Sequence, residues 1–401
     1  MIKENNLQQQ LILNPVENLP NLVIDSDFSS IHGLYVSDKP KTDEIVINSI
    51  IGFSGHEKMN QSVLRIYENW NRRMKSDCFS MRLLSGLHAH IVLFMGLGSI
   101  GDKVLILPVK AGGHYATTEI LKRLGYTVIE AIPDNSTFTV DFEKTLDIIK
   151  KEKPNIIFID RSEGIYYEDF TTLINQIPYE CIKVFDASQY LTNILESDFK
   201  SPFDMGFDII MSTLHKNFPG PQKAMVCSKK NNYIWHRIQD ALSMYVSSLH
   251  IENIFLAEEV AKQEALLKIY SESMLKNCIS LEKELSNAGL PVIKSDANMI
   301  KNHHLWLKMK TKNEAFDFYK KMEQCNLLVN YRKLPYELGY GIRMGTAAAT
   351  LQGLNEVNIN SLAALISEIY YSSELSTDSI LKSQLFISEL KPLKEKQREF
   401  K

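Results

Sequence analysis

The 401-residue sequence predicts an α/β protein built on a doubly wound, mostly parallel sheet, followed by a smaller α+β domain. Three observations carry that expectation. Short apolar runs alternate with helix-like stretches between residues 78 and 228, the pattern of successive βα units. Most of these runs are continuously apolar, as expected for strands covered on both faces. The chain is also too long for one ordinary domain, and its 44% of hydrophobic residues supplies a substantial core.

The elements follow in order. Residues 1–50 precede the pattern as an N-terminal arm. Residues 51–285 form the large domain, with strand-like runs at Cys78–Leu84, Val104–Val109, Thr127–Ile132, Asn155–Asp160, Ile182–Ser188, Phe207–Thr213 and Ala224–Ser228. Helix-like stretches such as Thr117–Leu124 and Phe142–Lys151 lie between them. Residues 251–287 carry no proline and read as one long helix that ends at the domain boundary. Residues 286–375 form the small domain: HHLWLKMK and YGIRMG read as strands, EAFDFYKKMEQC and NINSLAALISEIYY as helices. Residues 376–401 read as a polar, solvated tail.

Composition removes several functions. A net charge of −3 gives no electrostatic case for nucleic acid or membrane binding. The five cysteines lie far apart without the spacing of a zinc site or redox pair, so reduced thiols in a cytoplasmic protein, and no metal, are expected. The N-terminus lacks the apolar core of a signal peptide, and Ala89–Met95 is too short to span a bilayer. Gly96–Gly101 spells GxGxxG, but a helix is expected before it and a strand after it. That reverses the order a dinucleotide site needs.

Ligands of doubly wound folds bind at the carboxyl ends of the strands. Ser85 and Gly86, Ser162, Asp186 and Lys216 all fall there. These are the parts of a pyridoxal 5'-phosphate site: an amine for the imine, an acid for the pyridinium nitrogen, and a Ser-Gly turn at a helix start for the phosphate. Arg343 sits between apolar residues in a strand and needs an anionic partner, because an unpaired buried charge costs several kcal/mol.

STLHKNFPGP resembles the TTTHKTLRGP signature of serine hydroxymethyltransferases, fold-type-I pyridoxal-phosphate enzymes. Six further segments agree in order. LILNPVENLPN is similar to LIASENF, SGLHAH to SGSQAN, and AGGHYATT to HGGHLTHG. IDRSEGIYYEDF is similar to AGxSAYPRxxDF, FDASQYL to the DMAHIAGL region, and GIRMGTAAAT to GIRxGTxAxT. The resemblance implies that Lys216 forms the imine, Asp186 pairs with the pyridine nitrogen, and His114 stacks on the ring. It implies that Ser85 and Gly86 hold the phosphate and that Ser162 bonds the phenolic oxygen. Ser188 and Gln189 complete the cofactor site, and Thr213 and His215 flank the lysine. Arg343 would clamp the substrate carboxylate, and Glu17 in the arm would move protons at the substrate hydroxyl.

The chain departs from that pattern at several places. Gly52-Phe53-Ser54-Gly55 stands where paired tyrosines are expected, which puts Phe53 beside the substrate. Gln189 replaces the histidine of DMAH, and Gln222 replaces the arginine of GPRGG. The PGxQGG loop is missing, with Ser247 or Ser248 as replacements, and Gln352 or a neighbour stands for the TRG arginine. The cofactor-handling residues survive while the substrate side changes. The expected function is an aldolase or transaldolase acting at the Cα–Cβ bond of a β-hydroxy-α-amino acid, with an aldehyde co-substrate and without folate, in a homodimer with a shared site. A decarboxylating, oxidising or aminotransferase enzyme on the same fold is the alternative, and a scaffold with altered catalysis a third.

Overall fold

The computed structural model describes residues 10–13, 57–197, 199–247 and 249–398. The large sheet has seven strands: β1 (Cys78–Ser80), β2 (Lys103–Ile106), β3 (Thr127–Glu130), β4 (Ile156–Ile159), β5 (Ile182–Asp186), β6 (Ile209–Thr213) and β7 (Ala224–Ser228). Their order is β1-β7-β6-β5-β4-β2-β3. Strand β7 is antiparallel to both neighbours, and the other pairings are parallel. The predicted doubly wound, mostly parallel sheet is therefore present.

Strand β4 shows why the runs are continuous. All four of its residues are buried. Ile157 and Ile159 join an apolar cluster with Trp70 of helix Glu57–Met74 and Ile254 of helix Ile251–Ala261. Ile156 and Phe158 join a second cluster with Phe94 of helix Gly86–Leu97 and Trp235 of helix Tyr233–Tyr245. Helices thus cover both faces, and each fully buried isoleucine contributes roughly 1.5–3 kcal/mol. The GxGxxG run is the turn from helix Gly86–Leu97 into β2, in the order the sequence implied.

Strand β2 has β3 on one side and β4 on the other, so the chain reverses direction across the sheet there. A crevice opens at the carboxyl ends of strands around such a switch point. The segments leaving β2 and β4 carry His114 and Asp160.

A third cluster forms the core around a three-stranded antiparallel sheet. Its strands are β8 (His304–Lys308), β9 (Asn330–Leu334) and β10 (Gly339–Gly345), in the order β8-β10-β9. Leu11–Ile12 of the arm pairs in parallel with Leu327–Leu328, and Leu11 and Leu13 are buried in this cluster.

Three expectations change. The helix expected over 251–287 is two helices, Ile251–Ala261 and Glu264–Asn287, parted at Lys262 and Gln263. Gln263 has ψ of 45°, and its N–H bonds back only three residues, to Val260. No proline or glycine marks the break. The second helix packs Met274 in the large-domain cluster and Cys278 in the small-domain one, so it runs between the two cores. The strand expected to reach Leu84 ends at Ser80. The segment read as a solvated tail begins with helix Thr377–Ser388, whose Ile387 enters the small-domain core while Ser383 donates to the Cys325 carbonyl.

Arg161 ties these parts together. Its guanidinium pairs with Glu168 and donates to the Ala111 carbonyl at 2.6 Å and to the Tyr336 hydroxyl. The Glu168 carboxylate also accepts the Val140 N–H at 2.8 Å. Both partners are buried, so removing one leaves an uncompensated charge. Arg161→Met therefore lowers unfolding stability by about 3–5 kcal/mol in denaturant titration. Breaking the exposed Lys103–Glu152 pair with Lys103→Met changes it by less than about 1 kcal/mol. Equal effects would show that the Arg161 cluster is not a structural tie.

Candidate active site

The site forms at the carboxyl edge of the large sheet. Ser85 caps helix Gly86–Leu97, its hydroxyl accepting the His88 N–H at 3.3 Å. The N-terminal N–H groups of this 12-residue helix face the same edge and suit an anion. A Cβ on Gly86 would meet Thr213 Cγ2 at 2.7 Å, so glycine lets the helix start press against the end of β6. Gly112 and Gly113 act similarly beyond β2. Gly112 has φ of 85°, and a Cβ would strike the Glu163 carbonyl; on Gly113 it would strike the Leu107 carbonyl. That close approach sets His114 beside the end of β4, where its N–H donates to Asp160 Oδ2 at 3.3 Å.

Asp186 ends β5. Its Oδ1 accepts the Ser188 N–H at 2.9 Å and the Ser188 hydroxyl, and its Oδ2 lies 3.0 Å from His90 Nε2. Ser188 Oγ in turn accepts the Thr213 N–H at 2.9 Å. Burial pushes the Asp186 carboxyl up, but bonds from His90 and Ser188 and the charges of His90 and Lys216 outweigh it, holding the group below the usual carboxylate range. Asp186 is thus a persistent anion.

Lys216 follows Thr213 beyond the carboxyl end of β6 and is half-buried. Burial lowers its ammonium pKa. Asp186 and Asp160 oppose that, and Arg343 adds to it. These four groups therefore lie within electrostatic reach of one another. His114 and His215 are both pulled down to about 4, chiefly by burial, and then by His90 and Lys216 for His114 and by Lys216 for His215. Both rings are uncharged near neutrality.

Arg343 lies in β10, opposite Trp306 of β8 and Asn330 of β9. It donates to the Ser162 carbonyl at 3.3 Å and to Asn330 Oδ1 at 2.9 Å. Burial lowers its pKa to about 10, against the pull of Glu163, which itself pairs with Arg332. Ser162 thus stands between the strand end of β4 and the small-domain arginine. Gln189 turns its amide oxygen to His304 Nε2 at 3.1 Å, so that side chain meets the small domain.

The structure brings together Ser85, Gly86, His114, Ser162, Asp186, Ser188, Thr213, His215, Lys216 and Arg343. Glu17, Phe53 and Ser248 lie outside the described residues. Sequence reasoning missed His90, Thr117 and Asp160, which form a buried row behind Asp186. Two signals were available: Asp160 ends a strand, as Asp186 does, and His90 lies one turn into the Ser85-Gly86 helix. Arg332 and Glu163 were missed too, being surface-like charges until the chain folds.

The donor set fits pyridoxal phosphate. It offers an amine of lowered basicity, an anionic carboxylate for a ring nitrogen and a helix start for a phosphate. Thr213 Oγ1 and His215 Nδ1, both beside the lysine, are buried with no partner among the described residues. Such groups are satisfied by a ligand or water.

Asp160 gives a pH test. Burial pushes its carboxyl up to about 7, while an unfolded aspartate titrates at about 4. Between those values the folded chain holds the extra proton, so this group's contribution to stability falls as pH rises from about 4 to about 7. In the apoprotein, Asp160→Asn removes that loss. Its melting temperature rises relative to the parent chain more at about pH 8 than at about pH 5. A difference independent of pH would contradict the assignment.

Comparison with known proteins agrees with the geometry. The family model described as serine hydroxymethyltransferase matches residues 57–366. The serine hydroxymethyltransferase of Sulfolobus acidocaldarius is 25% identical over 300 residues, covering 72% of this chain and 69% of that protein. That of Saccharolobus solfataricus is 26% identical over 303 residues, covering 73% and 70%. Among solved structures, L-threonine transaldolase from Pseudomonas fluorescens superposes with a TM-score of 0.85 at 19% identity, over 96% of this chain and 88% of that one. It shares the fold-type-I architecture. On the family match over most of its length, this chain belongs to the serine hydroxymethyltransferase family.

Proposed function

We propose that this chain is a pyridoxal-phosphate enzyme that cleaves or forms the Cα–Cβ bond of a β-hydroxy-α-amino acid, with an aldehyde as second reactant and without folate. Family membership supports the cofactor and the bond. The carrying observation is that Asp186, linked through Ser188 to Thr213, and Arg343, bonded to the Ser162 carbonyl, both act electrostatically on Lys216. The bound cofactor supplies the electron sink that makes a bond at Cα labile.

The residues do the rest. Lys216, its basicity lowered by burial, offers a neutral amine to the cofactor's aldehyde more readily than a surface lysine. The Ser85-Gly86 helix start holds the phosphate. Asp186 accepts from the ring nitrogen and stabilises its proton. His114 would cover the cofactor ring as an uncharged imidazole, and Ser162 would bond its phenolic oxygen. Ser188 steadies Asp186, Thr213 and His215 flank Lys216, and Gln189 braces the same edge from His304. Arg343 would fix the substrate carboxylate and so orient the substrate at the cofactor. Glu17 takes or returns the proton of the β-hydroxyl, and Phe53 borders the substrate.

The replaced tyrosines and the missing PGxQGG loop support an aldehyde acceptor in place of folate. A homodimer is part of this reading. Leu84 and Leu87, which flank Ser85, are 36% and 40% exposed, as a partner-covered rim would be. A cytoplasmic location rests on five unbridged cysteines, and no described helix is long and apolar enough to cross a membrane.

Purified with the cofactor, the parent chain shows a visible absorption band that Lys216→Ala lacks. Incubated with L-threonine, L-allo-threonine or L-serine, it releases glycine and the matching aldehyde with no added folate. Carbon dioxide, peroxide or a keto acid would instead establish a different bond. Arg343→Ala lowers kcat/KM about 100-fold, matching about 3 kcal/mol of charged hydrogen bonding. An unchanged value would remove Arg343 from the substrate site.

A further inference from the structure

A row of buried polar side chains runs behind Asp186. His90 Nε2 lies 3.0 Å from Asp186 Oδ2, and His90 Nδ1 lies 3.3 Å from Thr117 Oγ1. The Thr117 hydroxyl donates to Asp160 Oδ2 at 2.5 Å. The four residues come from two strand ends and two helices, and none is more than 9% exposed. The His90 ring is set edge-on to Phe158 and Phe94, with centroids 4.8 and 6.4 Å away.

Packing alone does not explain this row. An apolar side chain at position 90 would fill the space among those phenylalanines and avoid burying polar atoms. The bond directions carry more. A carboxylate only accepts, so Nε2 bears a hydrogen toward Asp186. Thr117 gives its hydroxyl proton to Asp160 and meets His90 Nδ1 on its other side. The imidazole is thus held between Asp186 and the Thr117–Asp160 pair, which aims its Nε2–H at Asp186 Oδ2. The family motifs quoted above differ at both ends: SGSQAN has asparagine where His90 stands, and AGxS has glycine where Asp160 stands.

We propose that His90, Thr117 and Asp160 are positioning residues that hold Asp186 Oδ2 as a charged acceptor, and so set how firmly the cofactor's pyridine nitrogen keeps its proton. This rests on the reading that Asp186 faces that nitrogen. Loss of the His90 donor raises the proton affinity of Asp186, which then draws the pyridine proton to itself and weakens the electron sink.

The test is nuclear magnetic resonance of the full chain loaded with pyridoxal phosphate carrying nitrogen-15 in the ring. The parent chain gives a resonance at the protonated-pyridine position. His90→Leu moves it by about half the span toward neutral pyridine. Thr117→Val and Asp160→Asn move it the same way by less, and they read the relay if His90→Leu does not fold. His90→Gln, which keeps an N–H toward Asp186, restores most of the parent position. Asp186→Ala is the control. If it shifts the resonance while the His90, Thr117 and Asp160 variants do not, the relay is overturned and the placement of Asp186 stands. If Asp186→Ala leaves the resonance unmoved, both are overturned.

Discussion

Everything at this site depends on placing a lysine amine and a carboxylate in one poorly solvated enclosure. Burial by itself lowers the basicity of Lys216 and raises the proton affinity of Asp186. The fold answers each differently. Asp186 receives donors from Ser188 and His90, enough to hold it charged despite burial. Lys216 is left with a lowered pKa, because Asp186 and Asp160 only partly offset burial and the Arg343 charge. One group remains an anion while the other loses its proton more readily. The proposed capture of the cofactor's aldehyde by Lys216 beside a protonated ring nitrogen draws on that pairing.

Arg343 joins that enclosure only when two cores are docked. The strand ends supply Ser85, His114, Ser162, Asp186 and Lys216, whereas Arg343 comes from the small-domain sheet. Helix Glu264–Asn287 joins the cores by packing in both. Arg161 and Glu168 add a buried tie near the site, linking the loop before His114 to Tyr336. Buried ion pairs are weak sources of stability but strongly resist losing one member, so they fix geometry more than they raise stability. The proposed substrate grip by Arg343 thus depends on docking against the core that carries Lys216.

Much of the large sheet was legible because β4 and its neighbours are buried on both faces, which forces continuous apolar runs such as IIFI. The strand-end rule then exposed Lys216, Asp186 and Ser162 as candidates. The break at Lys262 was not legible, since a helix parted by backbone torsion alone leaves helix-forming residues on both sides. Helix Thr377–Ser388 was hidden because its five large apolar residues do not form one buried stripe: Leu381 and Leu385 are exposed, and full burial rests on Ser379, Ser383 and Ile387. His90 and Thr117 were invisible for another reason. Each lies within a helix, and only the tertiary arrangement of four elements aligns them with Asp160 and Asp186.

Borohydride reduction of the cofactor-loaded chain, followed by peptide mapping by mass spectrometry, tests the central assignment most directly. The reductant fixes the cofactor to whichever amine holds it. The proposed assignment predicts the added mass on the peptide containing Lys216 and on no other lysine. Labelling at a different lysine, or uptake of cofactor with no covalent label after reduction, would contradict it.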